Sequence, residues 1–281
     1  MEPYADIAGI RVGDQYPVRL MGTINVSPES FFKGSVFCSR DEIRCVAEQM
    51  VTDGADILDV GARGTAPYLK TDISVEEELD RLAKAIQMIR EVTDKPISAD
   101  TQTASVAKEA LKVGASILND VSGLAHDPDM ANITTGYKGV ILMANASYTD
   151  TLGDPVSVVK ASLEAALQRS KQAGIAPEKI VLDPGIGFFR HRTISWDQWD
   201  RIVLQQLPEF RSFDRPLMLS VSRKSFIGRV LGHTDPADRL YGSLSLASLA
   251  VHKRMHIIRT HDIGPTRDVV RMAEWLREPV Y

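Results

Sequence analysis

Acids, amides and cations stand at the carboxyl ends of short apolar runs throughout this chain: Asn25, Asp59, Asp100, Asn119, Asp183, Ser220 and Arg259. Asp100 and Asp183, with Asn119 between them, are acceptors suited to a ligand edge rich in N–H donors or to a developing positive charge, because charge-assisted hydrogen bonds are the strong ones. The structural alternative for each Asp is to cap the helix that follows. Cations gather later in the chain. Ser222-Arg223-Lys224-Ser225 follows the run 216–219, where a parallel barrel commonly holds an anion, although one of its two cations could reach out to solvent. Arg259-Thr260-His261-Asp262 follows the run 256–258. Alternation along a strand would turn Arg259 and His261 to one side, where a guanidinium and an imidazole suit a phosphate or diphosphate. The competing arrangement is an ion pair of Arg259 with Asp262.

Elements that could bring these residues together are legible in the hydrophobic pattern. Runs at 19–24, 56–58, 96–99, 115–118, 138–143, 179–182, 216–219 and 256–258 have the length of buried parallel strands. Helical periodicity falls at 41–53, 74–91, 104–113, 128–135, 156–173, 196–207, 236–252 and 266–277, with Ser39 and Ser74 as caps ahead of acidic first turns. Eight strands with intervening helices predict an α/β fold, a (β/α)8 TIM barrel over 1–281, in which all strand carboxyl ends share one face. A doubly wound open sheet is the rival. It would carry a glycine-rich phosphate turn after its first strand, and Gly22-Thr23-Ile24-Asn25-Val26-Ser27-Pro28 is not one. Residues 6–16 predict an N-terminal β-hairpin turning at Val12-Gly13-Asp14. Two segments rich in Gly, Pro and Ser, 25–35 and 61–68, read as loops over the barrel mouth that exclude water.

Composition narrows the function classes. Hydrophobic residues make up 44% and charged residues 25%, the balance of a globular protein able to bury a full core. A formal net charge of -4 gives no support for a nucleic-acid partner. No apolar run is long enough for a membrane span, and the first residues lack the pattern of a secretory signal, so cytoplasmic residence is the expectation. Cys38 and Cys45 are too few for a disulfide framework or a four-ligand zinc site and read as reduced bystanders. No histidine pair shows zinc spacing, and a helix-to-strand boundary is expected between His252 and His256.

Taken together, these segments resemble the dihydropteroate synthase family, the pterin-binding barrels of folate-type biosynthesis. The resemblance rests on Asn25-Val26-Ser27-Pro28-Glu29-Ser30-Phe31, Asp100-Thr101, Asn119-Asp120-Val121-Ser122-Gly123, Asp183-Pro184-Gly185-Ile186-Gly187-Phe188, Ser222-Arg223-Lys224-Ser225-Phe226-Ile227-Gly228 and Arg259-Thr260-His261-Asp262. It implies that Asp100, Asn119, Asp183, Lys224 and Arg259 hold a pterin. It also implies that Asn25, Arg259 and His261 bind a leaving diphosphate together with Mg2+, with Asn25 on the metal, and that Asp100, Lys224, Arg259 and His261 are catalytic. The implied reaction joins a dihydropterin methyl diphosphate to an arylamine and expels pyrophosphate, and a homodimer is implied as well.

The loops depart from the family's usual pattern. Where the family reads Ser-Phe-Ser-Asp-Gly, this chain has Ser30-Phe31-Phe32-Lys33-Gly34; where it reads Glu-Ser-Thr-Arg-Pro, this chain has Arg63-Gly64-Thr65-Ala66-Pro67; and a usual His is Ala144. The amine site is therefore expected around Thr65, Ser225, Lys33 and Arg63. These changes raise the expectation of a different amine, a phosphorylated ribosyl-aminobenzene of methanopterin synthesis, whose phosphate Lys33, Arg63 or Lys70 could meet. A pterin-dependent methyltransferase and a non-catalytic pterin-binding protein are the competing readings.

Overall fold

The computed structural model describes residues 2–27, 37, 39–64, 73–148, 152–189 and 194–277. Lys33, Thr65 and Lys70, expected around the amine, and Cys38 lie outside them.

Eight parallel strands, β3 (Arg19–Asn25), β4 (Ile57–Gly61), β5 (Ile97–Asp100), β6 (Ile117–Asp120), β7 (Gly139–Met143), β8 (Ile180–Asp183), β9 (Met218–Ser220) and β10 (Ile257–Thr260), form one sheet. Its order runs β8-β7-β6-β5-β4-β3-β10-β9, and the bridge between Leu182 and Leu217 joins the two ends into a barrel. That closure removes the open-sheet rival. Around the barrel lie α1 (Arg40–Thr52), α2 (Val75–Arg90), α3 (Ala104–Lys112), α4 (Met130–Thr134), α5 (Pro155–Gln172), α6 (Trp196–Gln205), α7 (Ser225–Leu231), α8 (Leu240–His252) and α9 (Ile263–Arg277). The short α7 has no counterpart among the expected helices; it grows out of the Ser222-Arg223-Lys224 cluster. Both expected serine caps form. Ser39 makes a reciprocal capping box with Glu42, and Ser74 accepts from the Glu77 amide.

The N-terminal hairpin pairs β1 (Tyr4–Ile7) with β2 (Ile10–Gly13) and turns at Ala8-Gly9, not at Val12-Gly13-Asp14 as expected. Ala8 and Gly9 both take positive φ, 58° and 84°, the two-residue geometry whose twist suits a tight hairpin. Ala5, Ile7 and Val12 from this hairpin pack with Met21, Ile57, Ile117, Ile141, Val181, Met218 and Ile257. These seven strand residues are the inward-facing layer at the amino ends of their strands, so the hairpin forms a floor beneath the barrel. Fully burying such side chains stabilises by about 1.5–3 kcal/mol each. Outward-facing Leu58, Val60, Ala99, Leu118, Leu142 and Leu182 meet the helices in the larger core.

Candidate active site

Two residues along a strand return a side chain to the same face. Above the apolar layer, Asp59 follows Ile57, Asn119 follows Ile117, Asp183 follows Val181 and Arg259 follows Ile257, so the next interior layer is polar. Asp100, at the end of β5 beside Gly61 and Asn119, joins it.

Arg259 is the hub of this layer. Its Nε donates to Asp59 Oδ2 at 2.6 Å and its Nη2 donates to Asp100 Oδ2 at 2.9 Å. Asn119 donates its amide to Asp59 at 3.3 and 3.4 Å. The expected alternative, Arg259 with Asp262, does not form: Asp262 is held by Arg223 through two bonds of 2.9 and 2.7 Å. Burial pushes the Asp100 carboxyl up to about 7, reinforced by Asp59, Glu78 and Asp120 and opposed by Arg259. Asp183 is also raised by burial, against the pull of Lys224 and Arg259. Asp100 Oδ1 is buried with no hydrogen-bond partner among the described residues. Burying such an acceptor costs about 1–3 kcal/mol, which a donor on a ligand would recover.

Asp183 opens a tight turn in which its Oδ1 accepts the Gly185 amide at 2.8 Å. Gly185 has φ of 71°, and a Cβ there would lie 2.0 Å from the Ala144 carbonyl oxygen, so only glycine fits. The turn brings Ile186 and Phe188 to Lys224. The Lys224 ammonium donates to the Ile186 carbonyl and lies 5.0 Å from the centre of the Phe188 ring.

Lys224 stands directly before α7, and Ser225 is its first residue, half-buried. Arg223, just before it, holds a left-handed φ of 56° and is buried rather than turned to solvent. Besides Asp262, its guanidinium donates to the carbonyls of Pro236 at 2.9 Å and Ala237 at 2.6 Å, while its amide donates to Ser243 Oγ at 2.8 Å. These bonds hold the strained residue in place and so fix Lys224. His261 lies on the same side. Its Nδ1 is 2.9 Å from Ser222 Oγ, which also accepts the His261 amide. Burial and the nearby Arg259, Arg223 and Lys224 pull His261 down to about 3. The mouth is thus bipolar, with a floor of carboxylates at β4, β5 and β8 and a basic rim after β9 and β10.

Asn25 ends β3, half-buried and paired in register with Gly61. Arg63 is placed differently from expectation. Its guanidinium donates to Glu78 at 2.7 Å and to the Ile73 carbonyl at 2.9 Å, so it is a fixed part of the wall. Asp59 has no expected ligand role, yet it is fully buried at the centre of the network. The signal was its position two residues past Ile57, the same step that leads from Ile117 to Asn119. His256 accepts the Leu217 amide at 2.9 Å and faces Asp14 at 3.2 Å. The His252–His256 boundary falls as expected, with α8 ending at His252. Cys45 is a free thiol.

A family profile described as pterin binding enzyme matches residues 21–261. The chain belongs to that family. It is 37% identical over 263 residues to the dihydropteroate synthase of Bacillus subtilis, covering 92% of this chain and 87% of that protein. Among solved structures, a dihydropteroate synthase from Coxiella burnetii in complex with pteroic acid superposes with a TM-score of 0.85 at 33% identity, covering 98% of this chain and 99% of that one. The Xanthomonas albilineans dihydropteroate synthase with 4-aminobenzoic acid gives a TM-score of 0.88 at 28% identity over 100% of both chains.

Proposed function

We infer that this chain is a transferase of the dihydropteroate synthase type, condensing 6-hydroxymethyl-7,8-dihydropterin diphosphate with p-aminobenzoate and releasing pyrophosphate in folate biosynthesis. The observation that carries this reading is the buried acceptor layer of Asp59, Asp100, Asn119 and Asp183 around Arg259, facing a rim of Lys224 and His261. Asp183 accepts from the amino and ring N–H groups of the pterin, Asn119 and Lys224 complete its hold, and the dry walls strengthen each of these contacts. At the pterin methylene, the carbon–oxygen bond breaks as the diphosphate leaves with the electron pair. The amine nitrogen forms the new bond and gives up its proton to solvent. Asp100, beside this carbon, offsets the positive charge that develops there. Neutral His261 and the Lys224 ammonium meet the departing anion.

The donor set fits Mg2+. Among the described residues no three His, Cys, Asp or Glu side chains could hold a metal, and Mg2+ is ordinarily bound by one or two protein oxygens together with substrate phosphates. Asn25 would supply the protein oxygen, and the ion would neutralise the diphosphate. The phosphorylated amine of methanopterin synthesis finds less support, because Arg63, one of the three cations expected to meet its phosphate, is paired with buried Glu78.

Among the described residues no helix is long and apolar enough to cross a membrane. The protein works in the cytoplasm, as its two cysteines suit, and as a homodimer. Exposed Tyr241 and Leu249 on α8 and Met272, Trp275 and Leu276 on the neighbouring α9 support a second copy there.

A pyrophosphate-release assay with the dihydropterin diphosphate against a panel of arylamines tests the reading. The wild-type chain should release pyrophosphate with p-aminobenzoate, and Asp183→Asn should lower kcat/KM by about a hundredfold, the scale of losing a charged hydrogen-bonding partner. Tight pterin binding with no release for any amine would overturn it in favour of a binding protein.

A further inference from the structure

Glu78 is a carboxylate the reaction does not use, yet its side chain is only 2% exposed. It lies early in α2 and accepts two hydrogen bonds, one from Arg63 Nε to Oε2 at 2.7 Å and one from the Thr101 hydroxyl to Oε1 at 2.6 Å. Arg63 leaves the end of β4 and also donates to the Ile73 carbonyl at 2.9 Å. Thr101 is the residue directly after Asp100. Its amide donates to the Asn119 carbonyl at 3.2 Å, and its hydroxyl oxygen accepts the Thr103 amide at 3.2 Å. One unbroken series of bonds therefore runs from Arg63, just past β4, through α2 to Thr101, the residue after the end of β5, and on to the strand that carries Asn119.

A buried ion pair is a poor device for stability, since apolar residues of the same shape commonly serve as well or better. What such a pair does supply is direction: fixed donors meet fixed acceptors in one geometry. We propose that Arg63 and Glu78 form a positioning strut for Asp100, holding Thr101 and thereby the angle at which the Asp100 carboxylate meets Arg259 and the pterin. The inference rests on the role given to Asp100 above and assigns Arg63 a task other than contact with the amine. The charges facing Asp100 agree with it. Asp59 from β4, Glu78 from α2 and Asp120 from β6 raise its carboxyl, and Arg259 from β10 lowers it. Arg63 neutralises one of these acids, so its loss should make Asp100 harder to ionise, whereas removing the charge of Glu78 should make it easier.

Two measurements on the full chain test the strut: steady-state pyrophosphate release, and pterin binding by fluorescence titration from pH 5 to 9. Arg63→Met should lower kcat about tenfold or more, as small misplacements of a reacting group do, with less than about a threefold change in KM for the pterin diphosphate. Arg63→Lys, which keeps a donor to Glu78, should recover a large part of that loss. Thr101→Val cuts the strut beyond an intact ion pair and should reproduce the fall in kcat. Lys84→Met, on the exposed side of the same helix, should match wild type. The acid limb of the pH profile should move up in Arg63→Met and down in Glu78→Gln, both in turnover and in pterin binding. Wild-type kcat and an unmoved profile in Arg63→Met or Thr101→Val would overturn the strut, as would a loss confined to KM for the amine. A wild-type chain that binds pterin but releases no pyrophosphate would instead overturn the reaction, and the opposite shifts in binding would still decide the strut.

Discussion

At the scale of single residues, the charge on Asp100 links function to stability. An ordinary carboxyl near 3.8 is pushed to about 7 in the folded chain, by burial first and by Asp59 next. Below pH 4 both folded and unfolded chains hold this proton, so nothing is lost. Between about pH 4 and 7 the unfolded chain releases it first, so this group makes stability fall as pH rises, and the cost stays complete above 7. Asp100→Asn keeps an acceptor for Arg259 but removes that cost. Calorimetry of the ligand-free protein at pH 8 should show a midpoint several degrees higher than wild type, for a gain of about 1–2 kcal/mol, with the difference vanishing toward pH 4. Turnover of the same variant should fall by about a hundredfold or more. Wild-type turnover with an unchanged midpoint would contradict both halves. The site acids were readable in sequence because each ends an apolar run, and Asn119, Asp183 and Arg259 all lie two residues past an inward apolar side chain. Arg63 was not readable in this way. Its partner Glu78 is fifteen residues on, in another element, and only the rotational setting of α2 brings the two together.

Elements follow the same logic. Ser39 and Ser74 were legible as caps because a hydroxyl ahead of an acidic turn satisfies orphan amides wherever the helix later packs. The hairpin was legible as a hairpin but misplaced, since Gly13 looked like a turn residue. Gly13 instead permits close approach: a Cβ there would lie 2.2 Å from the Pro3 carbonyl oxygen. Ala8, an unusual residue for a positive φ, gave no sign of the real turn. Contact of the floor with the barrel depends on another glycine. A Cβ on Gly139 would fall 2.5 Å from Cβ of Ile7. Gly139→Val should therefore destabilise the protein by about 1–3 kcal/mol through overpacking, measured by urea denaturation. Ile7→Ala in the same background should restore part of the loss; a fully additive pair would show that the hairpin and β7 do not press on one another.

For the whole molecule, counting strand and helix units was enough to reach the barrel, because parallel strands need a long crossover between them. Its closure was not countable. It is made where β8 meets β9, at the bridge between Leu182 and Leu217 and the bond from the Leu182 amide to the Pro216 carbonyl at 2.9 Å. The outer surface carries its own message at α8, whose sequence Leu-Tyr-Gly-Ser-Leu-Ser-Leu-Ala-Ser-Leu-Ala-Val-His is apolar around much of its circumference while Tyr241 is 81% exposed. Sedimentation equilibrium should give twice the chain mass of 31.0 kDa. Tyr241→Glu with Trp275→Glu should return the single-chain mass without loss of the folded far-ultraviolet spectrum. A wild-type protein that sediments as one chain at micromolar concentration would refute the dimer.

The hairpin beneath the barrel has a kinetic corollary. Among the described residues the hairpin stops the lower end of the barrel, and the acids proposed to hold the flat ring lie directly above the apolar layer it covers. Whatever reaches Asp183 must arrive before the rim is occupied and must wait until the rim clears. On the proposed reaction this shape dictates an order: the ring enters first, the amine follows above it, pyrophosphate leaves past the rim, and the joined product goes out last.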